Sequence, residues 1–410
     1  MTESEIVVNE VNFVRKCIAT DTSQYDLWGK LVCSNFKISF ITDDPMPLQK
    51  FHYRNLLLGE HDVALTCIEQ IVTVNDTKRK QKVLGPNQKL KFNPTELIIY
   101  CKDFRIVRFR FDEAGPESAK KVCLAIAHYS QPADLQLLFA FEYVGKKYHN
   151  PAKKVNGIDP GGGGGGGGSN QQTPLFETYS DWDREIKRTG ASEWRVCSVN
   201  EGYMISTCLP EYFVVPSSLA DQDLKHYSHA FTGRRMPMWC WNHSNGKLWY
   251  TFLKLGVEQT RARICNAITR SHPQRSDVYK SDLDRSLPSM QDVQAAFLKL
   301  KQLCVNDPFE ETEEKWLSSL ENSHWLEYVR LLLRHSAELV YMLDSKHVSV
   351  ILQEEEGRDL SCVVASLVQV MLDPFFRTIA GFQSLIQKEW VMAGYPFLDR
   401  CNHLKKSDKE

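Results

Sequence analysis

The sequence predicts a mixed chain, α+β or α/β in class, in which a small antiparallel β domain closed by one helix precedes an α/β domain. Two observations support this division: short strand-and-turn segments before residue 150, and alternating strands and amphipathic helices after residue 176. Between them lies a tract of eight glycines, Gly161 to Gly168. A length of 410 residues suffices for two or three domains.

The domain boundaries follow from changes in composition along the chain. Residues 1–25 are polar and are expected to form a flexible N-terminus. The β domain is placed at 26–150 and the α/β domain at 176–410, with a Gly-rich linker at 151–175. A run of glycines cannot pack a core and is costly to order, so the linker is expected to be flexible, either between domains or as an internal loop.

Hairpins and one helix are predicted in the β domain. Ser34-Asn35 is a turn candidate between two alternating segments, and Lys102-Asp103 is another. After the second hairpin, "PESAKKVCLAIAHYS" places apolar residues on one stripe of a helix. The stripe consists of Ala119, Val122, Cys123 and Ile126. The pattern favours a small barrel or sandwich capped by a helix.

The α/β domain is read from amphipathic helices around a hydrophobic strand. Helices are predicted at 290–304 and, as a broken pair, within 313–344, before a β-branched strand from Val348 to Leu352. Trp239 and Trp241 lie at strand spacing and are expected to be packing residues rather than a ligand platform. Helices on either side of such a strand indicate a mixed sheet covered on both faces.

Composition narrows the classes of function. A formal net charge of -1 argues against a general nucleic-acid binder, which normally carries a basic excess. The twelve cysteines include no Cys-x-x-Cys pair, so we expect reduced thiols in a cytoplasmic protein, and neither a metal site nor a cofactor is indicated. No signal peptide is visible, and the apolar run from Leu360 to Leu372 is too short to span a bilayer.

The segment "SVILQEEEGRDLSCVVASLVQVMLDP" poses the question of function. A strand, a tight loop and a helix N-terminus commonly form an anion site, because the first N–H groups of the helix point into the loop. In this chain the loop contains three consecutive glutamates, from Glu354 to Glu356, followed by Gly357. Such a loop would repel a phosphate.

Several longer segments resemble the myotubularin family of phosphoinositide phosphatases. "FTGRRMPMWCWNH" is similar to that family's "FRxxRxPxxxWxH", and "WLSSLENSHWLEYVRLLL" to its "WLxxLExTxWLxxxxxxL". "LDPFFRTIAGFQSLIQKEWVMAGYPFLDR" is similar to its "LDPxxRTxxGFxxLIxKEW…GHxFxxR". The resemblance extends over about 26–405 and implies a PH-GRAM-like domain followed by a protein-tyrosine-phosphatase-like α/β domain. Active members continue further, so the second domain is expected to be incomplete at its C-terminus.

The resemblance also assigns the acidic loop. Active members carry H-C-S-D-G-W-D-R-T there, in which Cys is the nucleophile and Arg clamps the phosphate. Anchored on "LDPFFRT", the alignment gives these degenerate positions: Gln353 (His), Glu354 (Cys), Glu356 (first Asp), Gly357 (retained), Asp359 (second Asp) and Leu360 (Arg). Arg358 takes the place of the Trp, and Cys362 lies past the loop as a buried core thiol.

Losing the nucleophile and the clamp together predicts an inactive member. A phosphate ~4 Å from one glutamate meets a repulsion of about 4 kcal/mol per unit charge at an effective dielectric of about 20. The resemblance therefore implies a pseudophosphatase with no catalytic residue, acting as a regulatory or scaffold subunit of an active myotubularin. The other interpretations are a loop whose acids merely stabilise the helix N-terminus, with Asp359 as N-cap, a loop whose acids dock a basic partner segment, and an enzyme with Glu354 as carboxylate nucleophile.

A further binding class rests on "NDTKRKQKVLG" in the β domain. Lys78, Arg79, Lys80 and Lys82 are predicted to lie at a hairpin tip. Each such charge gains about 1 kcal/mol near an anionic lipid surface. The alternatives are a solvated turn and a phosphoinositide-binding adaptor that is peripheral on membranes.

Overall fold

The computed structural model describes residues 5–19, 24–44, 58–59, 61–138, 173–243, 248–253, 258–271, 278–305, 313–355, 357–400 and 404. Two compact units make up the chain, one built mainly from residues 1–164 and the other mainly from residues 165–400. The predicted linker, including the glycine tract, lies outside the described residues except for its last three positions.

The first unit contains an eight-stranded sheet within its described residues, in which every neighbouring pair is antiparallel. The strands are β1 (Val7–Ala19), β2 (Gln24–Ser34), β3 (Lys37–Thr42), β4 (Val63–Ala64), β5 (Ile68–Asn75), β6 (Lys80–Val83), β7 (Glu96–Cys101) and β8 (Ile106–Arg110). Their order across the sheet is β4-β3-β2-β1-β8-β7-β5-β6. Short 3₁₀ turns occupy Leu65–Cys67 and Leu135–Leu137.

One helix, α1 (Pro116–Tyr129), follows the sheet and contributes to the same core. Its predicted stripe is confirmed, because Ala119, Val122, Cys123 and Ile126 are all fully buried. Pro116 starts the helix at a position where its missing N–H costs nothing. Both predicted hairpins are confirmed as the β2–β3 and β7–β8 pairs. The outcome is the predicted antiparallel unit followed by a helix.

The expectation of a flexible N-terminus over residues 1–25 is wrong for the residues that the structure describes. β1 pairs with β2 along most of its length and with β8 at Arg15–Cys17. Val11 and Val14 are buried in the core. A bulge between these two residues, with Phe13 at φ 60°, breaks the period-two alternation by which a strand is recognised. The segment therefore reads as polar although it lies at the centre of the sheet.

The second unit contains a two-stranded and a four-stranded sheet within its described residues. β9 (Trp194–Cys197) and β10 (Phe213–Pro216) form the antiparallel pair. The larger sheet contains β11 (Met238–Asn242), β12 (Leu248–Leu253), β13 (Val278–Asp282) and β14 (Ser349–Glu354), in the order β11-β12-β14-β13. The predicted mixed sheet is confirmed, because β11 runs antiparallel to β12 whereas β14 runs parallel to both β12 and β13.

Helices account for most of the rest of this unit. They are α2 (Tyr179–Thr189), α3 (Asp221–Ser228), α4 (Glu258–Arg270), α5 (Leu283–Ser286), α6 (Met290–Val305), α7 (Glu313–Asn322), α8 (Trp325–Asp344), α9 (Leu360–Leu372), α10 (Ile379–Ile386) and α11 (Phe397–Arg400). Further turns are Glu201–Tyr203, Thr232–Arg234, Pro374–Arg377 and the π-helical Gln387–Met392. No helix among the residues described is both long and apolar enough to cross a bilayer.

β14 is the central strand that positions the acidic loop. Ile351 belongs to one hydrophobic core, and Val350 and Leu352 belong to the other. Successive side chains of a strand point to opposite faces, so β14 is covered on both sides, as predicted. Trp239 and Trp241 are also buried, as expected of packing residues. The carboxyl end of β14 therefore opens into the acidic loop at a fixed place in the fold.

Candidate functional site

The acidic loop joins the end of β14 to the start of α9. Glu354 is the last residue of the strand, and its backbone pairs with that of Leu253 in β12. Leu360 is the first residue of the helix. The Glu354 side chain turns inward and is 5% exposed. An ionisable group this deeply buried needs hydrogen bonds to offset its loss of water.

The N-terminus of α9 supplies those bonds. Three backbone amides donate to the Glu354 carboxylate: Leu360 to Oε1 at 2.7 Å, and Ser361 and Asp359 to Oε2 at 3.1 Å and 3.3 Å. These are N–H groups that have no partner within the helix and that would otherwise point at a bound anion. The carboxylate of the chain itself thus occupies the anion-binding position.

Two opposing effects act on the pKa of Glu354. Burial raises it, and the hydrogen bonds from Ser361 and Leu360 lower it, with the result that the pKa stays above its usual value near 4.5. Asp359, another acid of the loop, raises it further. The helix N-terminus therefore holds a carboxyl group without fully compensating the cost of burying its charge.

Asp359 is the N-cap residue of α9, as predicted, but its side chain accepts no capping hydrogen bond from the helix amides. Its carboxylate is instead gripped by the Arg400 guanidinium, with Nε to Oδ1 at 2.9 Å and Nη2 to Oδ2 at 2.6 Å. Capping falls to Glu354, which reaches the amides from the end of the preceding strand. The Arg400 guanidinium makes a bidentate pair with the Asp359 carboxylate. These two hydrogen bonds tie Arg400 to another residue of the chain.

A second arginine, Arg235, ties the loop to two other segments. It donates to the carbonyl oxygens of Gly357 at 3.1 Å and Ala393 at 2.6 Å, and also to that of Cys208. Gly357 has φ 64°, a conformation that favours glycine. Arg235 is 5% exposed, and burial lowers its pKa to about 10. It positions the loop through backbone contacts.

The remaining predicted positions fall into three groups. Gln353 lies within β14, where its backbone pairs with Phe252 and Asp282, and its side chain is half-buried. The Leu360 side chain is buried in the core and has no hydrogen-bond donor to offer the loop. Glu356 lies outside the described residues.

The two residues predicted to flank the motif are also placed. Arg358 directs Nη1 toward the Cys208 sulfur at 3.9 Å. Cys362 is buried as expected, with its thiol donating to the Arg358 carbonyl at 3.2 Å. Burial strongly raises the pKa of this thiol, which disfavours the thiolate form that a nucleophilic cysteine needs.

Beneath the loop lies a buried ionic network that sequence reasoning did not single out. The Lys388 ammonium is 2% exposed and donates to the Cys240 carbonyl at 2.6 Å and to Gln369 Oε1 at 2.8 Å. It also pairs with Glu185 at 3.3 Å and Glu389 at 3.4 Å. The available signal was a Lys-Glu pair inside the apolar segment "SLIQKEWVM", because charged residues are seldom fully buried without partners.

Little space adjoins the loop on the protein side. A cavity of about 10 Å³ is lined by Arg235, Gly357, Cys362, Lys388 and others. This volume corresponds to about one water molecule. A phosphate group cannot enter it. Among the described residues, no group of three His, Cys, Asp or Glu side chains is arranged to hold a metal ion.

The predicted basic tip lies in the first unit, at the β5–β6 hairpin, which confirms the hairpin itself. Lys78, Arg79 and Lys80 are exposed, and Arg79 has φ 46° in the turn. Lys82 is half-buried, and its ammonium donates to the Lys89 carbonyl at 2.7 Å. Three of the four predicted cations thus face solvent at one end of the sheet.

Comparison with known proteins identifies the family. The model for the myotubularin-like phosphatase domain matches residues 149–251 and 259–410. The chain belongs to the myotubularin family. This myotubularin is 84% identical over 418 residues to the human (Homo sapiens) protein named myotubularin-related protein 10, an alignment that covers 99% of this chain and 54% of that protein.

More distant relatives give the same picture. The zebrafish (Danio rerio) myotubularin-related protein 10 is 68% identical over 411 residues, and human myotubularin-related protein 12 is 37% identical over 421 residues. Both alignments cover 99% of this myotubularin, and 54% and 53% of the two relatives. The chain therefore spans about half the length of the relatives it matches.

Proposed function

We propose that this myotubularin is a pseudophosphatase: it has no phosphoinositide 3-phosphatase turnover and acts as a regulatory or scaffold subunit of an active family member in the cytoplasm. The observation that carries the proposal is the occupation of the helix N-terminus by Glu354. A phosphoryl group would need the same three amides that already donate to this carboxylate. A substrate phosphate would therefore have to displace the Glu354 carboxylate, which is part of the protein itself.

The clamp is missing as well. Phosphoryl transfer in this family type needs a guanidinium that can hold the phosphate in two places. Leu360, at the position that the resemblance gives to that arginine, is apolar and buried. Arg400 is engaged by Asp359, and Arg235 by backbone carbonyls. Arg358, within the loop itself, directs Nη1 toward the Cys208 sulfur at 3.9 Å, so all three of these arginines contact other groups of the chain.

An enzyme that uses Glu354 as a carboxylate nucleophile is disfavoured by the same geometry. A nucleophile needs an oxygen free to approach phosphorus. Both Glu354 oxygens accept hydrogen bonds from α9, and the side chain is 5% exposed. Cys362, the nearest thiol along the chain, is buried, and burial raises the pKa of its thiol.

A fold that keeps its cores while its catalytic loop is degenerate is consistent with a role in binding. Two extensive hydrophobic cores surround β14, and the buried Lys388 network links segments far apart in sequence. A fold whose cores are packed in this way can present a stable surface to a partner protein without carrying out catalysis. The partner that we propose is an active myotubularin, in a hetero-oligomer.

Two measurements test the proposal. Purified chain is incubated with a 3-phosphorylated phosphoinositide, and release of inorganic phosphate is expected to equal the buffer blank. The tagged chain is then purified from cytosol, with phosphatase activity expected in the eluate from the co-purifying partner. Turnover by the isolated chain that disappears in Glu354→Ala would disprove the inactive state, and absence of activity in every eluate would disprove the subunit role.

A second candidate function is favoured by the exposed hairpin tip. Lys78, Arg79 and Lys80 form a compact positive group that could contact anionic phosphoinositide at a membrane surface. Vesicles of neutral phosphatidylcholine with a small fraction of phosphoinositide are sedimented with the chain and with a triple Gln variant. Binding that is lost in this variant, but kept in Lys121→Gln, which neutralises an exposed lysine of α1, supports the adaptor function.

A further inference from the structure

Two cysteines of the first unit lie side by side at the end of the sheet. Cys67 ends the turn Leu65–Cys67 directly before β5, and Cys101 is the last residue of β7. The neighbour of Cys67, Ile68, faces Cys101 across the β5–β7 ladder. The Lys102 amide donates to the Cys67 carbonyl at 2.7 Å, which fixes the backbones of the two cysteines relative to each other.

This register places the two Cα atoms within the span of a disulfide. Facing residues in an antiparallel pair lie about 4.5–5.5 Å apart, and one step along a strand adds about 3.3 Å. On these spacings alone the Cα atoms of Cys67 and Cys101 would lie roughly 6 Å apart, and a disulfide requires about 4.4–6.8 Å. Their side chains are within hydrogen-bonding reach of each other as free thiols.

The environments of the two thiols differ in a way that suits sequential roles. Cys67 is half-buried, and the Arg105 guanidinium contacts its side chain. Arg105 is itself held by Asp103 Oδ2 at 2.9 Å and by the Asp62 carbonyl at 3.3 Å. A cation fixed beside a partly accessible cysteine stabilises the negative charge on the sulfur as it attacks an oxidant. Cys101 is 2% exposed, and burial raises its pKa to about 12.

We propose that Cys67 and Cys101 form an oxidation-sensitive dithiol, in which the Cys67 sulfur attacks a peroxide and Cys101 then closes a reversible disulfide. In the first step the Cys67 thiolate forms an S–O bond, the O–O bond of the peroxide breaks, and hydroxide leaves. In the second step the Cys101 sulfur forms the S–S bond and the S–O bond of the sulfenic acid breaks. The departing hydroxide takes the Cys101 proton and becomes water.

The electrons balance over the two steps. Each sulfur is oxidised by one electron, and hydrogen peroxide is reduced by two electrons to water. A thiol reductant reverses the reaction by exchange at the half-buried Cys67 sulfur. The disulfide would tether the start of β5 to the end of β7. It would therefore restrict the unfolded chain and raise the midpoint of thermal unfolding.

Peptide mapping of the full chain tests the site. The reduced protein is treated with a few equivalents of hydrogen peroxide, quenched by alkylation, and digested without reduction. The expected product is a cross-linked pair of peptides containing Cys67 and Cys101, whose intact mass lacks two hydrogen atoms and which dithiothreitol separates. Arg105→Gln removes the guanidinium that contacts the Cys67 side chain and is expected to slow its formation about threefold to tenfold.

Matched variants separate this site from general oxidation. Cys33→Ser removes a buried thiol whose pKa burial alone raises to about 12, and Arg108→Gln removes another arginine near the same hairpin. Both are expected to leave the cross-link unchanged, whereas Cys67→Ser abolishes it. If Cys67→Ser fails to fold, the peptide map of the wild-type protein still shows whether Cys67 and Cys101 become cross-linked. Oxidation elsewhere with Cys67 and Cys101 still alkylated, or sulfinic acid at Cys67 beside a free Cys101, overturns the proposal.

Discussion

The Glu354 carboxylate accepts a hydrogen bond of 2.7 Å from the amide of Leu360, the first residue of the following helix. Hydrogen bonds to a charged group contribute about 1.5–3 kcal/mol, and two further amides share the same carboxylate. A helix N-terminus that would suit a phosphate therefore carries an internal anion. The acidic loop therefore stabilises the fold.

The first prediction concerns the empty site left by Glu354→Ala. Removing the carboxylate exposes the amides of Asp359, Leu360 and Ser361, which then can bind an external anion. We expect the variant to be less stable than the wild type by about 2–4 kcal/mol. Inorganic phosphate is expected to raise its unfolding midpoint in differential scanning calorimetry, without restoring turnover, since no nucleophile returns.

The control for this variant is Glu355→Ala, the exposed neighbour of Glu354. It removes the same type of charge from the same loop but no hydrogen bond to α9 is expected to change. Its stability should match that of the wild type, and phosphate should leave its midpoint unchanged. An equal response of wild type and Glu354→Ala to phosphate would show that the carboxylate does not occupy the anion site.

The second prediction concerns the pair formed by Arg400 and Asp359. Arg400→Ala leaves the buried Asp359 carboxylate without its fork, so the free energy of unfolding is expected to fall by about 2 kcal/mol. Chemical denaturation of the two single variants and of the double variant with Asp359→Asn should give a coupling energy of at least ~1 kcal/mol. Asp399→Asn, at an exposed neighbouring position, is the control. Additive effects of the two substitutions would contradict the pairing.

The third prediction concerns the buried Lys388. Lys388→Met preserves most of the volume but leaves Glu185, Gln369 and Glu389 without the ammonium. We expect a loss of about 3–5 kcal/mol in urea unfolding, because uncompensated charge remains in the core. Lys187→Met removes an exposed lysine that pairs with Asp183, and no measurable change is expected there. Comparable losses in both variants would rule out a special role for the network.

The fourth prediction concerns acid stability. Burial by itself would raise the pKa of Glu185, but Lys388 and Arg188 outweigh it and hold the pKa below its usual value near 4.5. The unfolded chain therefore binds more protons than the folded one, and the resulting stability is present above about pH 4.5 and is lost as the pH falls through the folded pKa.

Urea unfolding between pH 7 and pH 3 measures this dependence. Glu185→Gln is expected to be less stable at pH 7, since Lys388 and Arg188 lose a charged partner. Its stability should decline less steeply than that of the wild type below about pH 4.5. Parallel curves for the two proteins would show that Glu185 does not titrate with folding. Other acids with lowered pKa, such as Asp62, contribute equally to both curves.

Local patterns predicted much of the fold. The stripe of α1, both hairpin turns and the buried strand before the acidic loop are short-range features, and each is present in the structure. The failure at β1 has a local cause too, because the bulge at Phe13 interrupts the alternation on which strand recognition depends. The strand at residues 7–19 is recognised only from its pairing with β2 and β8 in the tertiary structure.

By itself, the sequence determined that the loop from Gln353 to Leu360 carries acid where a phosphate site needs donors, since residue type alone sets charge and nucleophilicity. Only the tertiary structure decided which contact each acidic residue of the loop makes. Glu354 caps α9 because β14 delivers it to the helix amides, and Asp359 instead meets Arg400, a residue 41 positions away. Such pairings depend on distances between segments remote in sequence, and these are fixed when the cores pack.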